Sequence, residues 1–391
     1  MKVAVIGAGA SGILYAILRK KQFPQDEVIL VDKEDRLGKK IYVTGNGRCN
    51  LFHEQTAQFL DAYSNYKEAE GAFKRVPLST LKKVFSSLGL DTIKQGELYY
   101  PRTLSAKTIM DVFNFWIKKL NIQIWTKKEL KQYERRENGF LLHFDNKDVE
   151  VDRLVLALGG ASSSQLGSDG AWVKLLKAHH YEISPFYPGL VGLKVKEDIS
   201  SLQGLRYYAK VTLYKQNEKI HDECGEVQFK NDGVSGICIM NTSSYIARLK
   251  DPSLCHIELD LLPEWDEESA YEKLKEKENH GYPYLDGTFP SSLARLLEKK
   301  TQTKGKKTDE EKRKIIKEAK HFILHVSDFY SFTTSQVTVG GVSLNEVNEN
   351  FASKEEKGLY LLGEMLDMDA LCGGYNLMWA WATAYLASKD E

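Results

Sequence analysis

Lys2-Val-Ala-Val-Ile-Gly-Ala-Gly-Ala-Ser-Gly12 stands at the head of the chain, and Val28-Ile-Leu-Val-Asp32 follows, its acid twenty residues beyond Gly12. These two stretches decide the fold. The apolar run from Val3 to Ile6 has the length of a short buried strand. Gly7 permits a tight turn, Gly9 lets backbone approach a pyrophosphate, and Gly12 lets the next helix pack closely on the sheet. Ala10 and Ser11 open that helix, whose free N–H groups and positive dipole end favour a diphosphate. Asp32, with Lys33 beside it, closes a second strand. An acid there accepts hydrogen bonds from a ribose diol and repels a 2′-phosphate, so the ligand expected is FAD or NAD rather than NADP. Read instead as a secretion signal, the stretch from Lys2 to Leu18 carries three glycines and no small-residue cleavage site.

Composition narrows the class. The 391 residues suffice for two or three domains and a large core. Lys plus Arg and Asp plus Glu number 54 each, so no global field recruits nucleic acid or an acidic membrane. Five cysteines, Cys49, Cys224, Cys238, Cys255 and Cys372, form no Cys-x-x-Cys pair and no cluster with histidine. Neither a metal site nor a disulfide framework is expected, and a cytoplasmic location is the simplest.

After the first β-α-β unit comes Arg36-Leu-Gly-Lys-Lys-Ile-Tyr-Val-Thr-Gly-Asn-Gly-Arg-Cys-Asn50. Its basic, amide and glycine residues suit phosphate, with Lys40, Thr44, Gly45, Asn46, Gly47, Arg48, Cys49 and Asn50 as candidates. The spacing predicts helices over Leu78–Leu88, stopped by Gly89, and over Ser105–Leu120. Strands are expected at Ile122–Trp125, Phe140–Phe144, Val149–Val151 and Leu154–Leu158, the last leading into Gly159-Gly160. Residues 190–260 alternate like strands, including Ala209–Tyr214 and His256–Leu261. Residues 264–322 are charged and helical, with a capping-box spacing at Thr308 and Glu311. The lysine-rich run from Lys299 to Lys320 is interleaved with acids and reads as a solvated surface.

From Gln336 glycines and buried strand return, in Val337-Thr-Val-Gly-Gly-Val342 and Gly358-Leu-Tyr-Leu-Leu-Gly-Glu364. A nucleotide-binding domain is therefore split by an insertion. This return separates FAD from NAD, because an NAD dehydrogenase completes its domain in one stretch. Here a late Gly363-Glu364 turn and Asp367 suit a ribityl chain and diphosphate. Gly374, Tyr375, Asn376 and Leu377 open an apolar helix whose N-terminus would stabilise negative charge on a reduced flavin ring. The expected fold is α/β, a Rossmann-like FAD-binding domain (1–189 and 333–391) interrupted by a β-rich insertion on the substrate side (190–263) and a helical insertion (264–332).

Together these motifs resemble the BaiN-like (YhiN-type) family of FAD-dependent oxidoreductases over nearly the whole chain. Thr44–Asn50, Val337–Val342, and Gly363-Glu-Met-Leu-Asp367 leading to Gly373-Gly-Tyr-Asn376 are the most specific pieces. The resemblance implies an FAD domain with two insertions over the flavin. It also implies one of two activities, reduction of activated double bonds or oxidation of amino acids or aminoacetone by oxygen. Three features depart from the family pattern. Ser162-Ser-Ser-Gln165 stands where a proline is usual, Lys230-Asn231 replaces a Thr-His pair, and Ser235-Gly236-Ile237 replaces a Ser-Gly-Pro turn. With the insertion altered and no second nucleotide fingerprint evident, the leading expectation is an oxidase of a small amine, aminoketone or L-amino acid. It would pass electrons to O2 and release H2O2 and ammonia. The alternative is an NAD(P)H-dependent reductase of an activated C=C bond. A flavin-containing RNA-modification factor is a third reading, disfavoured by the balanced charge. No residue is assigned a catalytic role, and His53 reads as a surface or hydrogen-bonded core residue.

Overall fold

The computed structural model describes residues 1–390 and sets the opening strand, Lys2–Ile6, at the middle of a five-stranded parallel sheet. Glu27–Val31 and then Gln123–Trp125 lie on one side, Arg153–Leu156 and then Leu359–Leu361 on the other. Val5 stands opposite Leu30 and Val155 in register. Both faces are covered, so these strands are continuous apolar runs rather than alternating ones. Helix Ala10–Gln22 buries Ile13, Leu14 and Ile17 completely, each side chain contributing about 1.5–3 kcal/mol. Arg19, Lys20 and Lys21 close its last turn, where cations complement the dipole.

The chain divides into two compact units. The first comprises residues 1–187 and 332–390, the second residues 188–331. In the first unit an antiparallel sheet, Gln132–Arg136, Gly139–Phe144 and Lys147–Val151, adds a strand to the expected hairpin. Gln132–Arg136 carries no strand signal in its sequence, because Tyr133 is its one buried apolar residue. Helices Leu78–Ser87 and Ala106–Lys119 lie within a residue of their predicted bounds.

The second unit is a closed six-stranded barrel. In order its strands are Leu193–Val195, Gly233–Ser235, Glu218–Phe229, Arg206–Lys215, Cys255–Asp260 and Phe322–Phe329. Two expectations need correction. The stretch 264–332 is not helical throughout, since Phe322–Phe329 is a barrel strand with Phe322, Leu324 and Val326 buried in alternation. The β-rich stretch holds a helix, Ile237–Leu249, hidden in the sequence because Asn241, Thr242, Ser243 and Ser244 are buried with its apolar residues and leave no apolar stripe. The capping box forms as expected at the start of Asp309–Lys320. Among the described residues no helix is long and apolar enough to cross a membrane, and no group of side chains has the makings of a metal site.

Candidate functional site

The first glycine turn is tightly built. The Gly7 N–H donates to the Val31 carbonyl at 2.8 Å, and Gly7 is left-handed at φ +101°. A Cβ on Gly12 would lie 1.9 Å from the Gly7 oxygen, so that position admits no side chain. Gly9 differs, because a Cβ there would meet nothing within 4 Å. It faces open space at the start of a helix that no side chain caps and whose first turn holds no acid. That vacant approach and those N–H donors suit a diphosphate.

Asp32 is fixed from two sides. Its oxygens accept the Ala8 N–H and the Glu34 N–H, each at 2.8 Å. Burial holds its carboxyl above the ordinary carboxylate range, and the two backbone donors oppose that shift. A carboxylate has about four lone-pair positions, so acceptor capacity remains for a ribose diol.

Residues far apart in sequence meet here. Lys40 Nζ lies 2.8 and 3.1 Å from the two Glu364 carboxylate oxygens. The Thr338 N–H also donates to Glu364, at 3.1 Å. A Cβ on Gly363 would touch Ser11 Oγ at 2.7 Å, which brings the late turn against the first helix. Thr338, buried and not foreseen, gathers the Gly159-Gly160 side. Its hydroxyl accepts the Ala161 and Ser162 N–H groups at 2.7 and 3.1 Å. The Gly159 carbonyl accepts the Trp172 indole N–H at 2.8 Å. Two expected cofactor residues have other partners: Lys33 pairs with Asp169 at 2.9 Å, and Asp367 accepts the Ser184 hydroxyl at 2.6 Å.

The loop Thr44–Asn50 is wound through the left-handed region at Gly45, Asn46, Gly47 and Cys49. The Cys49 N–H closes it on the Thr44 carbonyl at 2.9 Å. Arg48 pairs with no carboxylate among the described residues. Cys49 is fully buried and its thiol is pushed up to about 12, so it is a packing residue and not a nucleophile. Asn50 reaches the start of the last helix, Tyr375–Lys389. Its Oδ1 is buried without a hydrogen-bond partner, beside Gly374. Asn376 braces the preceding turn through Ala370, accepting its N–H at 2.9 Å and donating to its carbonyl at 2.8 Å. Leu377 packs against the core.

His53, 7% exposed, is the residue that sequence reasoning undervalued. Its ring stacks on Tyr375 with centroids 4.3 Å apart, and the Tyr375 hydroxyl lies 3.0 Å from Nε2. Nδ1 lies 2.8 Å from the Glu54 carbonyl, an acceptor, so Nδ1 carries a proton. The Glu97 carboxylate stands 3.5 Å from the same Nε2. Burial, aided by Glu97, pushes the Tyr375 hydroxyl up to about 12, so it stays protonated at neutral pH.

An open diphosphate approach at an uncapped helix and a braced ribose acid fit FAD. Bound there, FAD supplies hydride transfer. Comparison with known proteins agrees. Residues 1–390 match the family described as HI0933-like protein Rossmann domain. A 3-dehydro-bile acid delta(4,6)-reductase from Clostridium scindens is 34% identical, over 99% of this chain and 98% of that protein. A ribosomal RNA dihydrouridine synthase from Escherichia coli is 26% identical, over 99% and 96%. The fold is similar to that of 3-ketosteroid delta1-dehydrogenase from Sterolibacterium denitrificans, with TM-score 0.52, 11% identity and 99% of each chain covered. The chain belongs to the HI0933-like family of FAD-dependent oxidoreductases, and FAD is its cofactor.

Proposed function

We propose that this flavoenzyme reduces a C=C bond conjugated to a carbonyl in a small molecule. The observation that carries this reading is the 34% identical, full-length relative, a reductase named for its delta(4,6) positions in a 3-dehydro substrate. The product named for the Escherichia coli relative differs from uridine by saturation of a double bond that is also conjugated to a carbonyl. One reaction type therefore covers both names.

Such a reduction adds hydride to the β-carbon and a proton to the α-carbon. Tyr375 suits the second task, since its hydroxyl is neutral, half-buried and backed by His53 Nε2 at 3.0 Å. His53 in turn lies 3.5 Å from Glu97, whose side chain is 60% exposed. Once the Tyr375 hydroxyl has given its proton to the α-carbon, His53 takes up a proton at Nε2 from water at Glu97 and passes it to the Tyr375 oxygen, which restores both groups. A small substrate is supported by the lysine-rich run, where Lys300, Lys307 and Lys314 are paired with Glu318, Glu298 and Glu310.

Oxidation of a small amine, aminoketone or L-amino acid by O2 is the second reading. It rests on the departures in the second unit, where Ile237 stands 61% exposed in place of a family proline. Anaerobic spectroscopy separates the two. NADH or NADPH should bleach the flavin band, and a 3-oxo-Δ4 steroid should restore it without peroxide. Bleaching by an amine and by neither nicotinamide, with peroxide formed on admitting air, overturns the reductase reading in favour of the oxidase.

A further inference from the structure

We propose that the first unit carries a second anion site, away from the flavin, in which Lys21 and Lys119 hold a small diphosphate. Both lysines stand over one indole ring. Lys21 Nζ lies 4.1 Å and Lys119 Nζ 4.7 Å from the centroid of Trp116. The ring is itself fixed, since its N–H donates to the Leu88 carbonyl at 2.9 Å and Phe115 packs against it edge-on at 5.6 Å. Around them is an open pocket of about 420 Å³, whose wall also includes Lys20 and Asn121 and holds no acid.

Lysines near a helix C-terminus have an ordinary use, which is to complement the dipole and bond the last carbonyls. Lys20 is used in a similar way, donating to the carbonyls of Pro24 and Asp26 just beyond helix Ala10–Gln22. Lys21 and Lys119 differ. Among the described residues neither ammonium donates to a carbonyl or pairs with a carboxylate. Burial, aided by Lys119, holds the Lys21 ammonium below the ordinary lysine range. A bound anion relieves the repulsion between the two charges and supplies the missing acceptors. A diphosphate suits them better than a single carboxylate, because its charge and acceptor oxygens are spread over two groups and reach both lysines. Trp116 orders the cations beforehand, so less side-chain entropy is lost on binding. The site is not the flavin's. Gly9 and Lys21 stand at opposite ends of Ala10–Gln22, whose 13 residues at 1.5 Å each span about 20 Å.

The flavin-loaded protein, in which FAD fills the approach at Gly9, is titrated calorimetrically at low salt with pyrophosphate, inorganic phosphate and ADP. The wild type should bind one pyrophosphate per chain, roughly tenfold more tightly than phosphate. Lys21→Met and Lys119→Met should each weaken pyrophosphate about tenfold. Lys118→Met, at an exposed lysine outside the pocket, should leave binding unchanged. ADP bound as tightly as pyrophosphate assigns the diphosphate to a nucleotide, and ADP bound more weakly assigns it to a free diphosphate. No saturable binding of pyrophosphate by the wild type overturns the proposal, a result that needs no variant to fold. Equal weakening by Lys118→Met overturns it as well, since diffuse attraction and not a site would then hold the anion. So does binding that survives when Lys21→Met and Lys119→Met are combined.

Discussion

Two helices of the first unit and two of the second are finished in opposite ways. In the first unit, Ala10–Gln22 and Tyr375–Lys389 begin on glycines, with no capping side chain and no acid in the first turn. In the second, Glu267–Asn279 is capped by Asp266 and Asp309–Lys320 by Thr308, and the first turns carry Glu267, Glu268, Asp309, Glu310 and Glu311. Those acids satisfy orphan N–H groups and complement the dipole, which stabilises a free-standing helix by about 1 kcal/mol per cap. At a diphosphate site the same acids would repel the ligand. The two helices of the first unit leave their donors open for a cofactor, whereas these two of the second close on themselves. Stability and ligand affinity should therefore respond together in one unit and separately in the other.

The largest effect is expected at Gly12. With a Cβ 1.9 Å from the Gly7 oxygen, Gly12→Ala forces backbone against backbone. The expected outcome is loss of bound flavin together with about 3 kcal/mol of stability, read from the visible spectrum and a urea titration of the same sample. Gly305→Ala makes the comparison sharp. Gly305 is also left-handed, at φ +67°, yet a Cβ there meets nothing within 4 Å. It should cost only about 1–2 kcal/mol and leave flavin content unchanged. Equal losses at both glycines would break the contrast.

A smaller effect, confined to the ligand, is expected at Asp32. Asp32→Ala should weaken FAD about tenfold to a hundredfold, through lost hydrogen bonds to a charged acceptor. The sign of its pH dependence follows from burial, which raises the Asp32 pKa in the folded chain. A diol donating to the carboxylate favours the ionised form. FAD affinity should therefore be full above that raised pKa and fall as pH drops through it, and the fall should vanish in Asp32→Ala. Fluorescence titration of FAD from neutral to acidic pH tests both statements.

Much of the first unit was legible because glycine spacing and strand-end acids are local signals. Gly7 to Gly12, Asp32 and Gly363-Glu364 each carry their meaning within a few residues. Which of them meet was less legible. The Lys40–Glu364 pair spans 324 positions, and nothing near Lys40 announces its partner. Lys33 was grouped with Asp32 by adjacency, but successive side chains along an extended chain point apart, and Lys33 finds Asp169 instead. His53 looked like a scattered histidine because its role depends on Tyr375, 322 residues away. In the second unit, alternation over Ala209–Tyr214 and His256–Leu261 marks the strands Arg206–Lys215 and Cys255–Asp260, while Phe322–Phe329 follows a charged helix directly and lies within the expected helical insertion.

The smallest effect is expected in the lysine-rich run, and it bears on whether that surface does anything beyond solvating the second unit. Lys314 lies 2.9 Å from Glu310, one helical turn earlier, and both side chains are exposed. Such a pair is screened by salt and costs side-chain entropy to hold, so its loss is nearly neutral. Lys314→Ala should leave the urea midpoint and the flavin content as they are in the wild type. A nucleic-acid surface would behave differently, because each lysine on a phosphate releases a counterion on binding. Affinity would then fall steeply with salt, and the slope would shrink by nearly one unit per lysine removed. The wild type should show no salt-dependent retention of ribosomal RNA for Lys314→Ala to reduce. If it did, and the variant reduced it, the second unit would carry a ligand surface of its own, and the contrast between open and closed helices would fail at this one.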